Sequence, residues 1–247
     1  MDWHATEFVV SALALLLGGL VKGTFGIGLP MVATSLMAFF VDVPTAVVLM
    51  TVPMLTSNLW QAYRDGNVAS LGRFWTFLIA ILPGTWISTK LLFEIDRTVL
   101  IYIMGSSLVF FSGLQLSQFR LKVSASQERW ATPLVGLAAG LVGGLTTFYG
   151  AVVALYLLML DVKRDEFIGV IGLLYFICTV VLLGALGLQG AVDAEIALVS
   201  AGICVPMFLG LAVGQRIRNH IAPEAFFTSI SVFLVLIGIA LISRNLF

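Results

Sequence analysis

An all-α polytopic membrane protein is the fold class this sequence predicts, and three observations predict it. Hydrophobic residues make up 60% of the 247. Charged residues make up 11%, against about 25% in an ordinary soluble domain. Apolar runs of roughly 20 residues, the length that crosses a bilayer as a helix, recur along the whole chain. No polar stretch is long enough to be carved out as a soluble domain. The formal net charge is zero, which gives no sign of nucleic-acid binding. The start, Met1-Asp2-Trp3-His4-Ala5-Thr6-Glu7, lacks the basic n-region of a cleaved signal peptide and is read as mature sequence. Cys178 and Cys204 both sit in apolar runs, so no disulfide framework is suggested.

The first apolar region, about Phe8 to Val41, is too long for one span. A glycine-rich stretch, Gly23-Thr24-Phe25-Gly26-Ile27-Gly28-Leu29-Pro30, cuts it into two arms. The second segment is about Pro44 to Tyr63, with Pro53 inside and Trp60 and Tyr63 at an interfacial end. The third is about Phe74 to Phe93, with Pro83-Gly84 as a kink candidate. The fourth is about Thr98 to Ser117. A polar loop from Gln118 to Ala131 follows. The fifth region, about Pro133 to Leu160, is interrupted around Gly143-Gly144-Leu145-Thr146-Thr147-Phe148-Tyr149-Gly150. The sixth, seventh and eighth segments are about Phe167 to Leu186, Ile196 to Gln215 and Pro223 to Ile242.

The two halves read as repeats. Gly19-Leu20-Val21-Lys22-Gly23 matches Gly140-Leu141-Val142-Gly143-Gly144 at an offset of 121. Pro83 matches Pro206 at 123, and Gly113 matches Gly238 at 125. The expected organisation is an N-terminal transmembrane repeat at 1–118, a cytoplasmic linker at 119–131 and a C-terminal repeat at 132–247.

Charge decides between two topologies. Lys22 lies at membrane depth and is left out. If all eight segments cross, the other basic residues divide six against six. If Pro133–Leu160 dips in and returns, the division is nine against three, with only Lys90, Arg97 and Arg244 on the poor side. The positive-inside rule favours the second. The count is blind to the first region, whose re-entry rests on its length and on the repeat. The prediction is two inverted four-segment repeats, each with a re-entrant broken helix and three spans. Both termini then lie outside the cytoplasm.

Irregular backbone at membrane depth is tolerated only inside protein or beside a watery cavity. A broken helix leaves unpaired N–H groups at the start of its second arm, and these favour an anion. The candidate substrate-binding residues are therefore Lys22, Gly23, Thr24, Phe25, Gly26 and Gly28 at the first break. At the second they are Gly144, Thr146, Thr147, Tyr149 and Gly150. In an inverted repeat the two breaks meet near the midplane. Lys22 is the one basic residue well inside an apolar region, and no acidic residue sits in an apolar centre to neutralise it. It reads as a counter-charge for an anion, against the alternative of a lysine snorkelling to a headgroup. Asn58 and Gln61 either line the cavity or bond between helices. Glycines at Gly19/Gly23, Gly136/Gly140/Gly144 and Gly210/Gly214 have the spacing of close helix packing. Trp3, Trp60, Trp75 and Trp130 fall at segment ends as an aromatic belt, while Trp86 is interior and reads as packing. His4 and His220 lie outside the apolar segments, and there is no HExxH, GxSxG or P-loop pattern. No enzyme, metal site or cofactor is expected.

The glycine cluster ending in Gly28-Leu29-Pro30, its echo at Gly140–Gly150 and the two four-segment halves resemble the TauE/SafE sulfite exporter family, also called the toluene sulfonate uptake permease family. The resemblance covers essentially the whole chain. Ile27 interrupts the family's run of glycines, and Thr146-Thr147-Phe148-Tyr149 stands where more glycine is common. The resemblance implies a secondary transporter in a bacterial inner membrane. It would export small sulfur-containing anions such as sulfite, sulfoacetate or other organosulfonates by alternating access, with H+ or Na+ as a possible coupling ion and the lipid bilayer as its surroundings. Two alternatives stay open: a carboxylate transporter of the same build, and a membrane thiol relay using Cys178 and Cys204.

Overall fold

Every assigned element among the described residues is a helix, as apolar runs of spanning length require, since a helix satisfies its own backbone. The structure is a computed structural model and describes residues 5–66, 68–117, 122–162, 164–218, 220 and 223–244. Trp3, His4 and residues 118–121 of the expected polar loop, on which some expectations fall, lie outside the described residues.

The first region forms α1 (Ala5–Phe25) and α2 (Leu29–Met37). α1 runs straight through Gly19 and Gly23, so the break is confined to Gly26–Gly28. α3 (Val43–Leu49) and α4 (Thr51–Asp65) make the second segment, with Asp42 capping α3 through Thr45 N–H at 2.8 Å. A 3-10 stretch, Val68–Phe74, leads into α5 (Trp75–Glu94), which contains Pro83. α6 is Arg97–Leu116. The fifth region is α7 (Ala125–Thr146) and α8 (Tyr149–Met159). α7 begins well ahead of Pro133, inside the expected polar loop, because Ser124 and Gln127 build a capping box. α9 is Arg164–Leu188, and α12 is Pro223–Ser243. The seventh segment is divided at Ile203 into α10 (Ala194–Gly202) and α11 (Cys204–Ile217). Proline at 206 removes the amide that would bond Gly202 C=O, which accounts for the interruption. Six helices among the described residues are long and apolar enough to cross a membrane, and the chain is a multi-pass membrane protein.

Packing groups the chain into two compact units, and each draws helices from both sequence halves. The first comprises Met1–Pro53, Ile95–Phe119 and Asp193–Phe247. In it, α1 lies against α11 with backbones nearly touching. A Cβ on Gly19 would stand 2.2 Å from Met207 O, and one on Gly23 2.2 Å from Leu211 O. Gly210 and Gly214 meet Leu16 O and Leu20 O at 2.0 and 2.2 Å from the other side. Contacts advance together along both helices, so the pair is parallel. α6 and α12 are antiparallel: Gly105 faces Gly238, while Gln115 Oε1 accepts from Ser231 Oγ at 3.2 Å. α2 folds back along α1, with Gly28 against Val21 and Leu29 and Ala33 against Gly18. Ser200 Oγ on α10 donates to Leu49 C=O at 2.6 Å. That carbonyl lacks its usual partner because residue 53 is proline.

The second unit comprises Met54–Glu94 and Arg120–Val192. Here α5 runs parallel to α7: Gly136 meets Phe77 O and Gly140 meets Ile81 O, each with an ideal Cβ at 2.7 Å. The glycines at helix spacing thus pack helices in both units, as their spacing predicts. α8 folds back along α7. Thr132 and Tyr156 share a hydrogen bond of 2.6 Å, and Val123 N–H donates to Met159 C=O at 2.9 Å. The excursion therefore ends beside its own beginning, where Lys122 also pairs with Asp161 at 3.1 Å. α4 runs antiparallel to α9, with Asn58 at Thr179 and Gln61 at Gly172. Arg73 grips Glu128 through two hydrogen bonds of 2.6 and 3.0 Å. Trp60, Trp75 and Trp130 are exposed near helix ends, as a belt requires. Trp86, midway along α5, is 39% exposed and carries the Lys90 ammonium 5.0 Å over its ring.

Candidate functional site at the two helix breaks

The first break is made by backbone. Gly26 and Gly28 take φ of 80° and 96°, a region open to glycine and costly to other residues. Gly26 N–H closes back on Lys22 C=O at 2.6 Å, ending α1. Gly28 caps α2 with no side-chain bond. The first bond within α2 runs from Val32 N–H to Gly28 C=O at 3.2 Å, and Pro30 has no N–H. Leu29 and Met31 therefore carry the amides at this helix start, where the helix dipole favours negative charge.

Lys22 sits one turn before the break and is 5% exposed. The Lys22 side chain is enclosed by protein rather than laid along an open surface. Gly23 and Thr24 are turned to α11. Gly23 has no room for a side chain there, and Thr24 Oγ1 shares its one proton between Leu20 C=O at 2.9 Å and Gly214 C=O at 3.3 Å. Phe25, Gly26 and Ile27 are half-buried.

The second break is made by threonines. Thr147 ends α7 with φ 68°, an unusual conformation for a β-branched residue and worth about 1–3 kcal/mol of strain. Its N–H bonds to Gly143 C=O at 2.8 Å, and its hydroxyl donates to Thr146 C=O. Thr146 Oγ1 donates to Val142 C=O at 2.7 Å and accepts from Phe148 N–H at 3.2 Å. Gly144 and Gly150 are packing positions. A Cβ on Gly144 would stand 1.9 Å from Ser88 Oγ, and one on Gly150 2.9 Å from the Tyr175 ring.

Asn58, Tyr149 and two residues the sequence reading missed form one buried network. Asn58 Nδ2 donates to Thr179 Oγ1 at 2.9 Å, and Thr179 Oγ1 donates to Tyr175 C=O at 2.7 Å. Tyr149 OH bonds to the same Thr179 oxygen, and Tyr175 OH donates to Gly150 C=O at 2.6 Å. Gln61 is enclosed at 6% exposure, and its Oε1 has no hydrogen-bond partner among the described residues. The signal for Thr179 and Tyr175 was available: they are hydroxyls within the apolar run of the sixth segment, and such groups point inward.

The sequence candidates thus fall into two groups. Lys22, Gly23, Thr24, Phe25, Gly26 and Gly28 belong to the first unit. Asn58, Gln61, Gly144, Thr146, Thr147, Tyr149 and Gly150 belong to the second. Both cysteines are buried thiols outside any disulfide, and Cys204 Sγ donates to Ser200 C=O at 3.3 Å. No group of three metal-binding side chains occurs among the described residues. No curated protein and no solved structure matches the chain. The family model described as sulfite exporter TauE/SafE matches residues 11–241, both breaks included. The chain belongs to the TauE/SafE family of membrane transporters.

Proposed function

We propose that this protein is a secondary transporter that exports small sulfur-containing anions, sulfite or organosulfonates such as sulfoacetate, by alternating access. Membership in the exporter family over residues 11–241 carries this reading. The buried Lys22 supplies positive charge, and the amides that open α2 and α8 supply donors. Gln61 is the second-unit candidate whose side chain keeps a free polar atom. The hydroxyls of Thr24, Thr146, Thr147 and Tyr149 hold the breaks in shape. Gradients of H+ or Na+ drive the cycle. Uptake of sulfite into liposomes containing the purified protein, with and without each gradient, is the test. Transport of carboxylates in place of sulfite and sulfonates would sink the substrate assignment. A thiol relay has no support in the fold or the family, and Cys178→Ser and Cys204→Ser should transport normally.

We infer further that the repeats are inverted and both broken regions re-enter. Two packing directions and one backbone hydrogen bond support this. If the second region crossed, α6 and α12 would run the same way; they are antiparallel. The bond from Val123 to Met159 brings the ends of that region together. Given that re-entry, a first region that crossed would set α1 antiparallel to α11, and the pair is parallel.

A further inference from the structure

We propose that Thr179 is the positioning residue of the second break, acting through Tyr149. This rests on the transporter reading above only for its consequence in transport. A hydroxyl offers one proton and two lone pairs. The Thr179 proton goes to Tyr175 C=O, so both lone pairs accept, one from Asn58 Nδ2 and the other from Tyr149 OH. This saturates Thr179 and fixes Tyr149 as a donor. Its only hydroxyl proton is then spent within the protein, and Tyr149 holds none for an anion.

Tyr149 is the first residue of α8 and is clamped on every side. Its ring meets Tyr175 edge-on at 6.1 Å and covers Gly143, where a Cβ would lie 2.6 Å from the ring. The next residue, Gly150, is held by its carbonyl through Tyr175 OH. Two residues of α9 one turn apart therefore fix two successive residues of α8. The left-handed turn at Thr147 lies directly ahead. Strain of that kind persists only where the surroundings over-determine it, and Thr179 is the node where α4, α8 and α9 converge to do so.

The variants are Thr179→Val, which keeps the shape and removes the hydroxyl, Thr179→Ser, which restores it, and Tyr149→Phe, which removes the other partner. Two measurements separate the claims. Amide hydrogen exchange in nanodiscs, at residues 147–151, reads the geometry without any substrate. Loss of one or two such bonds should speed exchange there about tenfold in Thr179→Val and Tyr149→Phe, with Thr179→Ser close to the parent. Sulfite transport in liposomes reads the consequence. Thr179→Val should raise KM about tenfold, Thr179→Ser should rescue it, and the double variant should be no worse than either single one. Unchanged exchange in Thr179→Val and Tyr149→Phe overturns the proposal, as does a Thr179→Ser exchange as fast as that of Thr179→Val. Faster exchange in a protein whose parent form moves no sulfite upholds the positioning role and overturns the substrate assignment instead.

Discussion

Lys22 is the residue on which the proposed anion recognition leans most, and its side chain is buried. At 5% exposure its side chain is enclosed by protein. Lys22→Ala should reduce sulfite transport by at least about tenfold, the effect of losing one buried charge contact, while the protein still purifies as a single species. Undiminished transport would exclude the counter-charge role. Gly28 is a second single-residue test. Its φ of 96° and the Val21 methyl 2.9 Å from an ideal Cβ both oppose a side chain. Gly28→Ala should lower stability by about 1–2 kcal/mol, read as a lower melting temperature in detergent. The sequence made Gly28 legible as a breaker, because glycine beside proline in an apolar run has few other uses. It did not separate Gly26 and Gly28 from Gly23 or Gly144. Glycines that break a helix and glycines that pack one share the same composition, and only the partner backbone tells them apart.

Among the elements, prolines account for the interruptions that hydrophobicity does not mark. Pro53 leaves Leu49 C=O without its helical donor, and Ser200 Oγ supplies one from a distant part of the chain. Ser200→Ala should destabilise by about 1–3 kcal/mol, the penalty for a buried carbonyl left unbonded. In a Pro53→Ala background, which restores the amide at that position, the same change should cost less than half as much. Additivity of the two substitutions in thermal unfolding would show that the carbonyl is not what links them. The helices themselves were legible from apolar length to within a few residues. α7 was read short because its first turns, around Glu128 and Arg129, are polar. They are fixed by the Ser124 capping box and by Arg73, neither of which hydropathy registers.

For the whole molecule, the charge count and the packing directions make one prediction between them. A reporter active only outside the cytoplasm should be active when fused after Phe247, and one active only inside should be silent there. A cytoplasmic C-terminus would refute the inverted arrangement. The basic residues spoke to the second broken region alone, because none precedes the first. The direction of α1 along α11 supplies the missing argument, and no one-dimensional pattern contains it. The interleaving of the two halves in each compact unit was equally out of reach. It follows from which glycine faces meet, and those are matched by shape rather than by sequence neighbourhood.

The bond between Val123 and Met159 has an implication for ancestry. A hairpin that closes on itself is silent in the parity of membrane crossings. A unit of one such hairpin and three spans is odd, so tandem duplication of its gene lays the second copy upside down with no further mutation. Under the proposed arrangement, an inverted second half needs no flipping step in evolution. It would be the automatic product of copying an odd-numbered segment, and in that arrangement the contact at the base of α7 and α8 is what keeps the number odd.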